Sequence, residues 1–162
     1  MGSSELSKTV LEALFNNAKF KIVCVVTNTD KAVGRGGKIQ FSPVKQFAIT
    51  NNIPVLQYNS VSNEGEQDLK NLAPDVLVTA SFSHYLKDNI LNLATYGVIN
   101  VHPSLLPKYR GTSPIVWAIA KGEKVTGVTI MKTVKKTDAG NILAQKELEI
   151  NKAETAAALT NR

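Results

Sequence analysis

From Glu5 to about Asn17 the apolar residues Leu6, Val10, Leu11, Leu14 and Phe15 recur at helical spacing, with Ser3 or Ser4 available to cap the first turn. The pattern then changes. Residues 20–27 are apolar on both faces, which suits a strand buried in a parallel sheet between helices. Gly34-Arg35-Gly36-Gly37-Lys38 reads as a loop, and Ser42-Pro43 supplies an N-cap and first-turn proline for a helix carrying Val44, Phe47 and Ala48. Further strands are predicted at 53–56, 75–80 and 97–101, separated by helices near 64–72 and 84–93.

Strands interleaved with helices at these lengths call for right-handed crossovers. The fold class they predict is α/β: a Rossmann-like, doubly wound, mostly parallel sheet with helices on both faces. Ser113-Pro114 starts another helix, the β-rich runs 126–133 and 142–150 are spaced to pair with each other, and Ala153–Arg162 has helical composition. A chain that opens on a helix feeding a buried strand lacks the strand that usually precedes it, so the first strand is expected to be missing. Both ends read as incomplete.

Composition changes this picture little. With 162 residues, 43% apolar and 20% charged, the chain is the size of one domain, able to bury roughly two-thirds of its unfolded surface. A net charge of +6 favours polyanionic partners such as RNA or phosphorylated metabolites, although scattered solvated lysines would give the same sign. Cys24, the single cysteine, lies within an apolar run and reads as a small buried residue. Neither a disulfide within the chain nor a zinc cluster is indicated, and no apolar stretch reaches membrane-span length, so a cytosolic protein is expected.

Polar residues just after a buried strand have better functional odds than most, because open parallel sheets bind ligands beyond their carboxyl ends. Asn100-Val101-His102 falls there, and period two turns Asn100 and His102 to one face. On position alone, a histidine at a strand end is more often structural, and Asp138-Ala139-Gly140 more often a turn. The surrounding sequence shifts that balance. Asn100-Val101-His102-Pro103-Ser104-Leu105-Leu106-Pro107-Lys108-Tyr109-Arg110-Gly111 resembles the signature of enzymes that transfer a formyl group from 10-formyltetrahydrofolate. Thr126-Gly127-Val128-Thr129-Ile130-Met131, followed by Asp138-Ala139-Gly140-Asn141-Ile142-Leu143, resembles the same family's aspartate loop.

The resemblance implies direct attack of an amine on the formyl carbon through a tetrahedral intermediate, with no metal and no covalent enzyme intermediate. Asn100 and His102 would donate to the developing oxyanion, and Asp138 would favour a protonated imidazole and help move the proton. By the same resemblance, Phe82, Ser83 and Leu86 belong to a folate-binding loop, and Ser104, Leu105, Leu106 and Pro107 to a second loop whose alternative reading is purely structural. Ser83 stands where the family often has a glycine after an aromatic residue, and would narrow the loop if that glycine had positive φ. His84 is expected to be an exposed loop residue.

The acceptor is indicated elsewhere. Asp30 to Lys45, including Gly34-Arg35-Gly36-Gly37-Lys38 and Ser42-Pro43, resembles the insertion loop of methionyl-tRNA formyltransferases, in which Arg35 and Lys38 would contact tRNA phosphates. It matches neither a phosphate loop nor a dinucleotide fingerprint. The resemblance thus implies initiator methionyl-tRNA as partner, folate as co-substrate, no membrane, a monomer, and the bacterial cytosol or an organelle matrix. It also implies that residues 1–162 form one incomplete catalytic domain, without the β-barrel tRNA-binding domain that follows in the family. The alternatives are a formyltransferase acting on glycinamide ribonucleotide or an amino sugar nucleotide, and a non-catalytic fragment.

Overall fold

The computed structural model describes residues 1–33 and 38–162. Its first half comprises α1 (Glu5–Phe15), β1 (Val25–Asn28), β2 (Lys31–Val33), β3 (Lys38–Gln40), α2 (Pro43–Thr50), β4 (Val55–Tyr58), α3 (Val61–Glu64) and α4 (Glu66–Leu72). The second comprises β5 (Leu77–Ala80), α5 (Asp88–Leu91), β6 (Val98–His102), α6 (Pro114–Ala120), β7 (Val125–Lys132), β8 (Ile142–Glu149) and α7 (Ala156–Thr160). β1 pairs in parallel with β4 and β5 with β6, while β6–β7 and β7–β8 are antiparallel. The expected meander is therefore present, and it continues the parallel part of the sheet.

Neighbouring residues of β1 show why helices cover both faces. Val25 packs with Leu11, Val44 and Ala48 from α1 and α2, whereas Val26 packs with Val61, Leu69, Ile90 and Val98 on the opposite side. Both valines are buried, so a two-sided apolar strand becomes the seam between two cores.

Several boundaries differ from expectation. The strand predicted at 20–27 begins at Val25, where the ladder to β4 begins. The glycine-rich segment is flanked by a short antiparallel pair, Lys31–Val33 against Lys38–Gln40, that the sequence pattern does not predict. The helix near 84–93 is reduced to the single turn of α5, because Ser62 takes over the backbone bonding: its hydroxyl donates to the Tyr85 carbonyl and accepts from the Lys87 amide.

Met1 and Gly2 link the two parallel pairs. The Gly2 amide donates to the Val26 carbonyl at 3.0 Å, and the Met1 carbonyl accepts from the Ala80 amide at 3.1 Å. Gly2 has φ 154°, and a Cβ there would overlap the Ala80 carbonyl and the Ser7 side chain, so only glycine fits this turn. Ser4 then caps α1, exchanging hydrogen bonds with Ser7, whose hydroxyl reaches the Ala80 carbonyl at 2.6 Å. An apolar groove lined by Val10, Leu14, Ile22, Cys24, Leu72 and Val76 runs beside this link. Among the described residues, no helix is long and apolar enough to cross a membrane.

The Met1 nitrogen also donates to the Val78 carbonyl, at 2.6 Å.

Candidate active site

The carboxyl ends of β5 and β6 lie side by side, with Thr79 opposite Asn100 and Ala80 opposite Val101. The loops 81–87 and 103–111 therefore leave the same edge of the sheet. On the other side of β6, Asn100 pairs with Met131 and His102 with Thr129 of β7. Asn100 is half-buried and His102 is 5% exposed, so both occupy fixed positions at the strand end. The Asn100 carboxamide oxygen accepts from the Thr79 hydroxyl at 2.9 Å.

His102 stands between two acceptors. Its Nε2 lies 2.9 Å from the Tyr109 carbonyl, which can only accept, so this nitrogen carries a proton. Nδ1 faces the Asp138 carboxylate at 3.7 Å, an ion-pair separation longer than a hydrogen bond. The same carboxylate oxygen, Oδ2, accepts from the Gly111 amide at 2.7 Å, and the Asp138 carbonyl accepts from Arg110 Nε at 2.9 Å. The fold thus brings together the three residues singled out in sequence, two directly on β6 and the third across a loop.

Left-handed backbone occurs here as it does at Asn52, Ala73, Ser81 and Ala153 elsewhere in the chain. Tyr109 (φ 56°), Ser113 (φ 58°) and Asp138 (φ 46°) all adopt it, a conformation costly for non-glycine residues that the surrounding contacts must hold in place.

The 104–107 loop is built from below. The Thr129 hydroxyl donates to the Ser104 carbonyl at 2.6 Å and accepts from the Leu106 amide at 3.1 Å. Gln145 Nε2 reaches the Leu106 carbonyl and Thr129 Oγ1, each at 2.9 Å. Ser104 and Leu106 are buried and their backbone groups engaged, whereas Leu105 is half-buried and Pro107 exposed. In the companion loop Phe82 is half-buried, and Leu86 packs into the core around Val61 and Ile90.

Ser83 and His84 depart from expectation. The left-handed residue of this loop is Ser81, at φ 44°, and the Ser83 hydroxyl instead accepts from the Asn28 carboxamide at 3.1 Å, tying the loop to β1. His84 is not an exposed loop residue: it is half-buried, its ring 4.6 Å from that of Phe82, and Nδ1 accepts from the Val61 amide. Burial lowers its pKa accordingly.

The family model described as formyl transferase matches residues 1–162. The chain belongs to the formyl transferase family. A methionyl-tRNA formyltransferase of Ureaplasma parvum is 42% identical over 159 residues, covering 98% of this chain and 52% of the relative. That of Acetivibrio thermocellus is 45% identical over 163 residues, covering 100% and 52%. The chain spans about half the length of the curated relatives it matches. Among solved structures, the phosphoribosylglycinamide formyltransferase of Bacillus halodurans has 28% identity and a TM-score of 0.82, covering 99% of this chain and 83% of that one. A sugar 3N-formyl transferase solved in the presence of dTDP and 5-N-formyl-THF shares the fold, with 23% identity and a TM-score of 0.67 over 98% of this chain and 53% of that one.

In this member of the formyl transferase family, Arg35 lies outside the described residues, and Lys38 is placed only by its backbone at the start of β3. Lys45 is bonded to Asp30, lies 2.8 Å from Gln57 Oε1 and stands 4.1 Å above the Phe41 ring, so α2, β4 and the hairpin strand ends share one polar cluster. The sequence pattern does not single out the residues that support Asn100 and the 104–107 loop: Thr79, Thr129 and Gln145. Only Thr79 left a signal, as the single hydroxyl in the run Val76-Leu77-Val78-Thr79-Ala80.

Proposed function

We propose that residues 1–162 act as the catalytic domain of a formyltransferase carrying a formyl group from 10-formyltetrahydrofolate to the amino group of initiator methionyl-tRNA. The observation that carries the choice of acceptor is 42–45% identity across essentially the whole chain to proteins named for that activity. The site suits the chemistry. The strand end presents a carboxamide and an imidazole on one face, with a carboxylate beyond the ring.

The bound folate supplies the formyl carbon and the nitrogen that departs from it. Asn100 donates to the formyl oxygen as its charge grows, and His102 joins it by exchanging the Tyr109 carbonyl for that oxygen as the acceptor of its Nε2–H, a role worth about two to three orders of magnitude per donor in acyl transfers. The incoming amine loses one proton and the departing nitrogen gains one, and the His102–Asp138 pair relays it. Phe82 and Leu105, half-buried on loops leaving the same sheet edge, offer apolar surface to the folate ring, with Ser83, Leu86, Ser104, Leu106 and Pro107 shaping the two loops. Arg35 and Lys38 contact phosphates at the tRNA acceptor end, and the cluster of Asp30, Lys45 and Gln57 anchors the hairpin that carries them. A monomer in the cytosol is the setting this reading entails.

Labelled formyl donor supplied with methionyl-tRNA, glycinamide ribonucleotide and an amino sugar nucleotide is expected to label methionyl-tRNA selectively. Preferential labelling of another acceptor overturns the assignment, and labelling of none removes the enzymatic reading of this chain. Arg35→Ala is expected to raise the KM for methionyl-tRNA by about tenfold with little change for folate. Equal loss for both substrates would count against the loop's role.

A further inference from the structure

We propose, on the reading of the site as a formyl-transfer centre, that Thr79 is a positioning residue holding the Asn100 carboxamide in the one orientation that stabilises a developing negative charge. Thr79 is 5% exposed on a strand otherwise built of apolar residues, where an unneeded hydroxyl carries a desolvation cost. Parallel register sets it directly opposite Asn100. Its Oγ1 lies 2.9 Å from Asn100 Oδ1, closer than the 3.2 Å to the Ile99 carbonyl.

A carboxamide has an acceptor at one tip and donors at the other, in nearly the same shape, so a half-turn of the side chain exchanges them with little steric effect. At this site the two orientations have opposite consequences. An N–H directed at the formyl oxygen stabilises its charge, whereas a carbonyl directed there repels it. With the Thr79 proton on Oδ1, the carboxamide oxygen is tied to β5 and the nitrogen is left to the site. The fold thus spends a buried hydroxyl on orienting a group that touches the reacting atoms, and does so before any substrate binds.

Thr79→Val keeps the side-chain shape and removes the donor, and Thr79→Ser keeps the donor. In this chain Thr79→Val is expected to lower kcat about 10- to 100-fold with the KM for the formyl donor within about twofold, and Thr79→Ser to stay within about threefold of the parent. A Thr79→Val variant with parental kcat, a loss confined to KM, or an equal fall in Thr79→Ser would overturn the proposal. Side-chain 15N relaxation of the Asn100 carboxamide gives a reading independent of turnover: ordered in the parent and Thr79→Ser, mobile in Thr79→Val. If the parent chain transfers no formyl group, the functional reading fails, and the relaxation comparison still decides whether Thr79 anchors Asn100. Unchanged order in Thr79→Val then refutes the anchoring.

Discussion

His102→Ala is expected to lower formyl transfer by about 10² to 10⁴, the range of a positioned acid–base group. The imidazole is 5% exposed and makes two contacts that alanine abolishes, one to the Tyr109 carbonyl and one to the Asp138 carboxylate. His102→Gln retains a donor of similar reach but cannot relay a proton, so it should recover about tenfold over alanine through charge stabilisation alone. Asp138→Asn separates the remaining contribution. Asparagine tolerates the left-handed backbone that Asp138 adopts, and its oxygen can still accept from the Gly111 amide, so the loop stays in place while the negative charge disappears. A fall of about 10² or more is expected in that variant, with an unchanged thermal midpoint. Single-turnover rates with methionyl-tRNA, read beside thermal melts, check all three. Near-parental turnover in both His102→Ala and Asp138→Asn would take the pair out of the mechanism.

What was legible in the sequence was local. The alternation of two-sided apolar runs with amphipathic segments specified a doubly wound sheet because residues such as Val25 and Val26 must each find a core, and helices on opposite faces provide them. Asn100 and His102 were legible for a similar reason: period two and a strand end suffice to put them on one face. Features decided by distant partners were not. Leu86 and Ile90 stand four residues apart and imitate a helix, but Ser62, from α3, satisfies the intervening backbone and leaves only one helical turn. The hairpin of β2 and β3 has three residues per strand, too few for alternation to register. Asp138 follows β7 by six residues, yet its orientation is set by Gly111 and Arg110 from another loop, so only the resemblance of its surroundings pointed to it. Thr129 and Gln145 act through a loop that begins over twenty residues away in the chain.

That nonlocal construction makes the aspartate turn sensitive at a residue with no side chain. Gly140→Ala is expected to destabilise the fold by about 2–4 kcal/mol and to depress turnover further than that loss explains. A Cβ on Gly140 would overlap the Lys132 carbonyl oxygen and sit 2.8 Å from its carbon. Neither atom belongs to a flexible side chain. Lys132 is fixed at the end of β7, its amide donating to the Asn141 carbonyl at 2.9 Å and its Cα in register with Ile99 of β6. Relief must therefore come from the turn, and moving the turn moves Asp138, two residues earlier, away from both Gly111 and His102. At the size of this chain the stability loss corresponds to a fall of about 5–15 °C in thermal midpoint. Turnover measured well below that midpoint isolates the second effect: a loss of about 10² with the protein fully folded matches Asp138→Asn in rate while differing from it in stability. An alanine variant with parental midpoint and rate would show that the turn has room to spare and that Asp138 is positioned by other contacts.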